Sequence, residues 1–245
     1  LARDAGDLRA AQRLRYQVFV EELGGGGAGV DHQARLETDP FDAVNDHLIL
    51  VDPARAAAGL DHVVEVYRLL TSEKAAAFGR FYCDSEYDLA PLRASGRRLL
   101  ELGRSCVHPD YRGGAALYLL WNALAEYVLD HGIEVLFGVA SFHGTDAGAL
   151  AVPLSWLHWH HLAPEGLRVR ARDDHFQRMD LIAPENLDRR EAMAMMPALI
   201  KAYLRLGGHV GVGAWIDHEF NTTDVMLLMD TARMSEKHKG YYTRR

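Results

Sequence analysis

The chain has 245 residues, of which 49 % are hydrophobic, and a formal net charge of −7 at pH 7. A chain of this length can bury the core of one large domain, and its acidic balance argues against nucleic acid as the main partner, because a phosphate backbone requires a basic surface. No apolar run approaches the roughly 20 residues of a membrane-spanning helix, and the two cysteines, Cys83 and Cys106, provide no disulfide framework and suit a reducing cytoplasm.

The N-terminal third of the chain predicts one helix and a β-hairpin. Apolar side chains recur at near-helical spacing over residues 7–22, and the glycine run over residues 24–29 ends that helix. Residues 46–52 and 63–69 run apolar or alternate as strands do, and a turn containing proline and glycine joins them.

The middle of the chain predicts a strand, a long helix and a second strand. Residues 71–95 are polar and indicate a flexible segment, after which residues 98–107 form an apolar central strand. Residues 115–131 predict the long helix, Gly132 ends it, and residues 135–140 return as a strand parallel to the first. Such a unit is a right-handed crossover.

The C-terminal part predicts a helix and two short strands. Residues 145–161 have a helical pattern on both sides of Pro153, and the G-T-D sequence at residues 144–146 is expected to cap this helix. Residues 167–172 and 225–229 are strand-like.

Between those two strands the sequence indicates an insertion within a single domain, residues 1–245. The insertion covers about residues 174–212 and contains a helical piece, residues 191–206, that is rich in methionine and apolar on more than one face. Methionine side chains adapt to irregular shapes, so this piece could line a tunnel for a fatty acyl chain, or it could be a helix buried in the core. The predicted fold class is mixed α/β, with a central mixed sheet flanked by helices.

The most informative run is R-S-C-V-H-P-D-Y-R-G-G-A-A-L at residues 104–117, where an apolar strand gives way to a basic turn that opens a helix. Gly113 and Gly114 allow a sharp turn and present unpaired amides at a helix N-terminus, where the macrodipole also favours an anion. Arg112 adds a forked donor. The run therefore predicts a seat for a phosphate group.

This run resembles motif A of the GNAT N-acyltransferases, which binds an acyl-pantetheine thioester. The resemblance implies a GNAT-like acyl-coenzyme A N-acyltransferase fold. It implies that the donor contacts Cys106, Val107, Arg112, Gly113, Gly114 and Ala115. The family usually shows Arg/Gln-x-x-Gly-x-Gly/Ala, whereas here the later small positions fall on Ala115 and Leu117. We interpret this departure as a sign that the donor carries the single phosphodiester of a carrier-protein prosthetic group rather than the diphosphate of coenzyme A.

A second resemblance covers most of the chain. R-Y-Q-V-F-V-E-E-L at residues 15–23, D-P-F-D at 39–42, R-L-L at 68–70 and E-L-G-R at 101–104 look like the pattern of the acyl-homoserine lactone synthases and their relatives. The segment A-W-I-D-H-E-F-N-T-T-D-V at residues 214–225 is similar to one in the ornithine-lipid N-acyltransferases. The lactone synthases usually carry a tryptophan soon after the position of Glu22, where this chain has four glycines at residues 24–27, and this absence favours the lipid enzymes.

The chemistry of amine acylation points to Glu101. An α-amine is partly protonated at neutral pH, so its attack on a thioester needs a base, directly or through water, and a buried carboxylate can serve. Glu101 lies between two leucines of the predicted strand, with Arg104 three residues later. Strand residues three apart face opposite sides, so these two meet only across a bulge. The resemblance implies such a bulge, with amides near Cys106 or Val107 facing the thioester carbonyl.

A cationic amino acid as acceptor needs anionic groups around its ammonium groups and a cation for its carboxylate. Asp39 and Asp42 could hold the ammonium groups while Arg15, Arg68 or Arg104 pairs with the carboxylate; alternatively, Asp39 only opens a turn or caps a helix. The resemblance implies a catalytic group of Glu101, Arg104 and Asp42. It implies an acceptor-binding group of Arg15, Phe19, Asp39, Arg68 and Ser141.

The resulting hypothesis is an acyltransferase that moves a (3-hydroxy)fatty acyl group from acyl carrier protein to the α-amine of L-ornithine, giving lyso-ornithine lipid. The resemblance implies no tightly bound cofactor, the donor being the acyl-phosphopantetheine of the carrier protein. One alternative is an acyl-homoserine lactone synthase that uses S-adenosylmethionine. The other is a non-catalytic acyl-carrier or lipid-binding module.

Separate basic patches on this acidic chain could steer the docking of an acidic carrier protein or contact an anionic membrane surface. We therefore expect a cytoplasmic protein with peripheral contact to the inner face of the membrane. The patches are Arg97 and Arg98; Arg168, Arg170 and Arg172; and Lys237, Lys239, Arg244 and Arg245.

Two further features carry less weight. H-W-H-H at residues 158–161 offers three imidazoles, but no acidic or cysteine ligand lies at zinc-like spacing, so we expect no metal site. Cys106 follows a strand near the site, yet no histidine lies at a spacing that indicates a dyad, and we interpret it as a small buried hydrophobe.

Overall fold

A computed structural model of the protein describes residues 1–233, and one predicted basic patch, Lys237, Lys239, Arg244 and Arg245, lies outside the described residues. The chain divides into two compact units. The first consists of Leu1–Arg80 and Glu101–Gly132, and the second of Phe81–Leu100 and the residues from Ile133 onward. Within residues 1–233, no helix has both the length and the apolar character to cross a membrane.

The α-helices are α1 (Ala5–Arg15), α2 (Ser72–Phe78), α3 (Ala90–Ala94), α4 (Ala116–Asp130), α5 (Ala151–His161), α6 (Arg189–Met195) and α7 (Ala198–Arg205). The strands are β1 (Val30–Asp31), β2 (Leu36–Glu37), β3 (Asp46–Val51), β4 (Val63–Thr71), β5 (Tyr87–Asp88), β6 (Leu99–Val107), β7 (Val135–His143), β8 (Arg170–Ala171), β9 (Phe176–Gln177), β10 (His209–Asp217) and β11 (Thr222–Asp230).

The first helix changes its winding halfway along. Asp4 caps α1 by accepting hydrogen bonds from the amides of Gly6 and Asp7 at 2.8 and 2.9 Å. From Tyr16–Glu22 the helix continues as a π-helix, a rare geometry that often lies at functional sites. The predicted helix over residues 7–22 is confirmed in extent, and Gly24, with a φ of 74°, follows its end.

In the first unit, β3, β4 and β6 lie side by side in that order. β3 and β4 are antiparallel, as the hairpin prediction requires. The amide of His108 donates to the carbonyl of Val64 at 2.8 Å just past the end of β6. α1 packs against β4, and α4 packs against β3 and β4. The Tyr127 hydroxyl fixes α4 by donating to Asp46 at 2.7 Å.

The second unit contains a mixed sheet in the order β7, β11, β10, β8 and β5, with β9 paired to β10. β7 and β11 are antiparallel without interruption, from His143 opposite Thr222 to Val135 opposite Asp230. β10 is antiparallel to β11 and parallel to β8. The buried Tyr87 hydroxyl accepts from the amide of Met226 at 3.2 Å and thereby fixes β5 against β11.

Gly213 marks an irregularity in β10, where the pairing with β11 shifts. Its φ is 75°, in the left-handed region, and a Cβ atom at this position would lie 2.1 Å from the ring of Phe176. Only glycine satisfies both conditions.

The prediction of a flexible segment over residues 71–95 was wrong. The segment contains α2, β5 and α3, and its side chains Phe81, Tyr87, Leu89 and Leu92 are buried. Local caps order it, because the Asp84 carboxylate accepts from the amide of Phe81 at 2.8 Å. Sequence periodicity did not reveal these elements because each of them is shorter than eight residues.

The C-terminal predictions were correct in part. α5 begins only at Ala151, because Pro153 fits the first turn of a helix. Asp146 does not cap this helix; its carboxylate accepts from the amide of Gly148 at 2.8 Å and so caps a turn. The predicted helical piece over residues 191–206 is divided into α6 and α7 at Pro197. The strand at residues 225–229 is the centre of the longer β11, and β10 was missed.

Glu65 on β4 is a buried charge that the sequence did not mark. Its side chain has no exposed surface, and within the described residues neither of its carboxylate oxygens has a hydrogen-bond partner. Burial raises the pKa of Glu65 to about 7.

Because the pKa of Glu65 is higher in the folded chain than its ordinary value of 4.5, the folded state binds the proton more tightly. The contribution of protonated Glu65 to the free energy of unfolding is fully present below about pH 4.5, and it is lost progressively as the pH rises to about 7. Replacing this residue, Glu65→Gln, should raise the free energy of unfolding by up to about 3 kcal/mol at pH 8 and leave it nearly unchanged at pH 4.5. Urea unfolding at both pH values measures the difference. An equal effect at both would contradict the buried, unpaired carboxylate.

Candidate functional site

The short segment after β2 forms a capped turn. Residues Pro40–Ala43 make one turn of 3-10 helix, in which the Asp39 carboxylate accepts from the amide of Phe41 at 2.7 Å. The Asp42 carboxylate accepts in return from the amide of Asp39 at 3.2 Å. The capping interpretation of Asp39 is therefore correct, and the reciprocal pair of hydrogen bonds also fixes the direction of both carboxylates.

Arg15, at the end of α1, is completely buried between Glu37 of β2 and Asp42. Its Nε atom donates to Oε2 of Glu37 at 2.5 Å, and its two terminal nitrogens donate to the oxygens of Asp42 at 2.7 and 2.8 Å. It also donates to the backbone carbonyl of Glu37 at 2.7 Å. The amide of Gln12 donates to Asp42 at 2.9 Å from the preceding turn of α1.

Arg68 of β4 and Arg104 of β6 complete the arrangement. Nη1 of Arg68 lies 3.0 Å from Asp39 and 3.3 Å from Asp42. Arg104 lies 3.2 Å from Glu37 and 3.1 Å from Asp39. Three arginines and three carboxylates thus alternate around a closed loop of ion pairs, which we name the ion-pair ring. Its members in order are Arg15, Glu37, Arg104, Asp39, Arg68 and Asp42.

The ring is electrostatically balanced. Burial by itself raises the pKa of Asp42, but the hydrogen bond and charge of Arg15, with smaller contributions from Gln12 and Arg68, hold it well below its usual range. Burial lowers the pKa of Arg68, and so does the neighbouring charge of Arg104, but an arginine stays protonated in proteins. Asp42, Arg15 and Arg68 are therefore charged at neutral pH.

The backbone of β6 departs from regular strand geometry at Arg104. Its φ of 51° lies in the left-handed region, which costs a residue with a side chain roughly 1–2 kcal/mol. A left-handed residue breaks the alternation of side chains along the strand, and the bulge itself stays a prediction. Glu101, three residues earlier on β6, is buried, and the guanidinium of Arg68 lies near Gly103, about 3.8 Å from the position of an added Cβ atom.

Residues 108–115, which follow β6, form a turn, and its binding of a phosphate group stays a prediction. Gly113 is left-handed with a φ of 76°, and Ala115 precedes α4 without a side-chain cap, so the first-turn amides receive no side-chain acceptor at that position. Val107 accepts a hydrogen bond from Nε of Arg112 at 3.1 Å. The Arg112 guanidinium also binds Glu22 through both terminal nitrogens, each at 2.6 Å.

The turn is also attached to the β3–β4 hairpin. The Tyr111 hydroxyl donates to the Asp52 carboxylate, and Arg55 contacts the His108 ring at 3.2 Å. These contacts hold the turn independently of Arg112.

The other predicted site residues are not members of the ring. Cys106 is buried in a cluster with Ala10, Leu14 and Val66, and burial raises the pKa of its thiol, so its interpretation as a hydrophobe fits. Phe19 packs against the same cluster. Ser141 belongs to the second unit, where it is exposed on β7 opposite Asp224.

Sequence reasoning missed two members of this site. Glu37 precedes Asp39 by two residues, and the acidic spacing E-T-D-x-x-D was visible but was interpreted only from Asp39 onward. Glu22 lies in the recognised R-Y-Q-V-F-V-E-E-L run, but no local pattern connects it to Arg112, 90 residues away. Among the residues that the structure describes, no group of three or more His, Cys, Asp or Glu side chains is placed to hold a metal ion.

Comparison with known proteins identifies close relatives along the whole chain. The family model described as acetyltransferase (GNAT) domain matches residues 14–122. An L-ornithine N(alpha)-acyltransferase of Rhodobacter capsulatus is 71 % identical over 245 residues, covering 100 % of this chain and 94 % of that protein. The L-ornithine N(alpha)-acyltransferase of Brucella abortus is 41 % identical over 244 residues, covering 99 % and 87 %.

Solved structures share the fold at lower identity. FeeM, an N-acyl amino acid synthase from uncultured soil microbes, aligns with a TM-score of 0.54 and 13 % identity, covering 95 % of this chain and 89 % of that one. BjaI, a coenzyme A-dependent acyl-homoserine lactone synthase, aligns with a TM-score of 0.51 and 16 % identity, covering 97 % and 81 %. The predicted mixed α/β, GNAT-like fold is confirmed.

Removing one carboxylate from the ring should destabilise the protein strongly. The change Asp42→Asn leaves Arg15 and Arg68 buried with one anionic partner fewer, and we expect a loss of about 3–5 kcal/mol in the free energy of unfolding. Urea unfolding at pH 7 measures it. The matched control is Glu21→Gln, which breaks the exposed pair of Glu21 with Arg35 and should cost less than about 1 kcal/mol. Equal losses for both variants would contradict the ring.

Proposed function

This chain belongs to the L-ornithine N(alpha)-acyltransferase family, and we propose that it moves a 3-hydroxylated fatty acyl group from the phosphopantetheine thioester of acyl carrier protein to the α-amine of L-ornithine. The product would be a lyso-ornithine lipid. The protein is an acyltransferase. The observation that supports ornithine as the acceptor substrate is the 71 % identity to the Rhodobacter capsulatus enzyme over the full chain.

The proposed reaction is an aminolysis of the thioester. The uncharged α-nitrogen of ornithine attacks the thioester carbonyl, the N–C bond forms, and the C–S bond breaks as the pantetheine thiolate leaves. The amine loses a proton to a base, and the thiolate finally takes a proton. We assign the base to Glu101, directly or through water, because it is a buried carboxylate on the strand that leads to the phosphate-binding turn.

The end of β6 is the proposed binding place of the donor. Cys106 and Val107 precede the turn, and the amides of Gly113, Gly114 and Ala115 lead into α4, a geometry that favours a phosphate group. An amide near Cys106 or Val107 would donate to the thioester oxygen as it gains charge. The left-handed backbone at Arg104 supports this assignment, because such a residue turns the next backbone groups out of the regular strand pairing.

Because the members of the ion-pair ring are paired with one another, we propose that they have a positioning role. Each of the three arginines already contacts two carboxylates of the ring, so binding of the ornithine carboxylate would compete with buried ion pairs. Acceptor binding by Arg15, Asp39, Arg68 and Phe19, and by Ser141 in the second unit, stays a prediction. We propose that the ring positions β6 and that Asp42 and Arg104 act through this positioning.

The carrier protein and the membrane are proposed partners. Arg168, Arg170 and Arg172 are exposed in the second unit and could contact an acidic carrier protein. Arg97 is instead paired with Asp230 at 2.6 Å, which makes it a structural residue. Because a lyso-ornithine lipid is amphiphilic, we place the enzyme in the cytoplasm with peripheral contact to the inner membrane face.

The proposed function predicts which donor and acceptor support turnover. Purified protein is incubated with 3-hydroxyacyl carrier protein or the matching coenzyme A thioester, and with ornithine, lysine, other amino acids or S-adenosylmethionine. Free thiol is followed in time, and the amide is identified by mass spectrometry. Ornithine with the carrier-protein donor should give the fastest thiol release. Preference for S-adenosylmethionine would indicate a lactone synthase, and the absence of release with every amine would contradict the proposal.

The variant Glu101→Gln tests the base within the same assay. We expect kcat to fall by about a hundredfold or more, with the KM for the carrier-protein donor little changed. The matched control is Glu126→Gln, which removes a carboxylate exposed on α4 and should keep full activity. Unchanged kcat in the Glu101 variant would remove Glu101 from the mechanism without affecting the choice of substrates.

A further inference from the structure

The pair of Glu22 and Arg112 is the feature that the proposed mechanism does not use. Both terminal nitrogens of Arg112 are bound to both oxygens of Glu22 at 2.6 Å, and its Nε atom donates to the Val107 carbonyl at 3.1 Å. The guanidinium that the sequence assigned to the donor phosphate therefore already holds an anion. The side chains of Arg112 and Glu22 are 43 % and 36 % exposed, so a bound donor can reach the pair.

The pair is not needed to hold the turn. Tyr111 and His108 attach the turn to Asp52 and Arg55 of the β3–β4 hairpin. Glu22 itself is placed by the π-helix, in which the adjacent Glu21 binds Arg35 at 2.6 Å instead. Two neighbouring glutamates thus have different partners, and only Glu22 lies at the phosphate-binding turn.

We propose that Glu22 determines which acyl donor the phosphate-binding turn accepts. Glu22 neutralises Arg112 and places a carboxylate beside the phosphate of the donor. A singly charged phosphodiester is therefore preferred to coenzyme A. This inference rests on the proposed function and deepens it. The hydrogen bond from Arg112 lowers the pKa of Glu22, which keeps the carboxylate ionised at neutral pH. Repulsion from a fixed carboxylate grows with the charge of the ligand. The carrier-protein prosthetic group has one phosphodiester charge, whereas coenzyme A has a diphosphate and a 3′-phosphate, about four charges in all.

The test compares two single-charge variants, Glu22→Gln and Glu21→Gln. Both remove one surface carboxylate from adjacent positions, and the side chains are exposed to a similar extent, 36 % and 41 %. Binding of coenzyme A is measured by calorimetry at low ionic strength, and KM is measured for the 3-hydroxyacyl carrier protein and for the matching coenzyme A thioester with ornithine as acceptor. Thermal unfolding confirms that each variant is folded.

In the Glu22 variant we expect the Kd for coenzyme A and the KM for its thioester to fall about tenfold, and the gain to shrink as salt is added. The KM for the carrier-protein donor should change much less than the KM for the coenzyme A thioester, so that the preference between the two donors shifts toward coenzyme A. In the Glu21 variant, all of these values should stay at those of the wild type.

Equal affinity of the two variants for coenzyme A would overturn the inference, and so would an equal gain for both donors. The proposed function fails separately, when the wild-type protein releases no thiol in the presence of ornithine. Because the calorimetric measurement needs no turnover, the two failures can be told apart.

Discussion

The ion-pair ring is the interaction on which the rest of the first unit depends. Its six side chains come from α1, from β2 and the turn after it, and from β4 and β6, so one electrostatic structure joins all of these elements. A buried charge without a partner costs several kcal/mol, whereas each ring member here contacts two opposite charges. Arg104 enters the ring from a left-handed backbone position in β6. The strand that carries Glu101 is in this way fixed by charges three residues further along the chain.

Long periodic elements of the fold could be predicted from the sequence, and short ones could not. The helix that became α4 and the strand that became β6 have apolar patterns over nine or more residues, and their bounds agree with the structure to within one residue. The π-helix after α1 has no sequence period of its own. Tertiary contacts accompany it, such as the hydrogen bond between Tyr16 and His32 at 2.9 Å, and periodicity does not reveal such contacts. The segment containing α2, β5 and α3 was missed because capping side chains, rather than a hydrophobic period, order it.

The candidate site could be predicted as a set of residues but not as a geometry. Family resemblance brought together Arg15, Asp39, Asp42, Arg68 and Arg104, and the structure places all of them in one ring. No sequence pattern indicated that these residues pair with one another, because pairing across 22 to 67 residues depends on the register of the strands. Glu37 and Glu22 were missed for this reason. The net charge that a carboxylate adds to a site depends on whether an arginine pairs with it. Which arginine pairs with which carboxylate is decided by the folded structure.

A double-mutant cycle on Glu37 and Arg104 tests the central claim most directly, because this pair joins β2 to the left-handed position of β6. The single variants Glu37→Gln and Arg104→Gln and the double variant are compared by urea unfolding at pH 7. A closed ring predicts a coupling energy of about 1–3 kcal/mol between the two positions, because either single change already opens the ring. Losses that simply add, to within about 0.5 kcal/mol, would show that the two side chains act independently and would contradict the account.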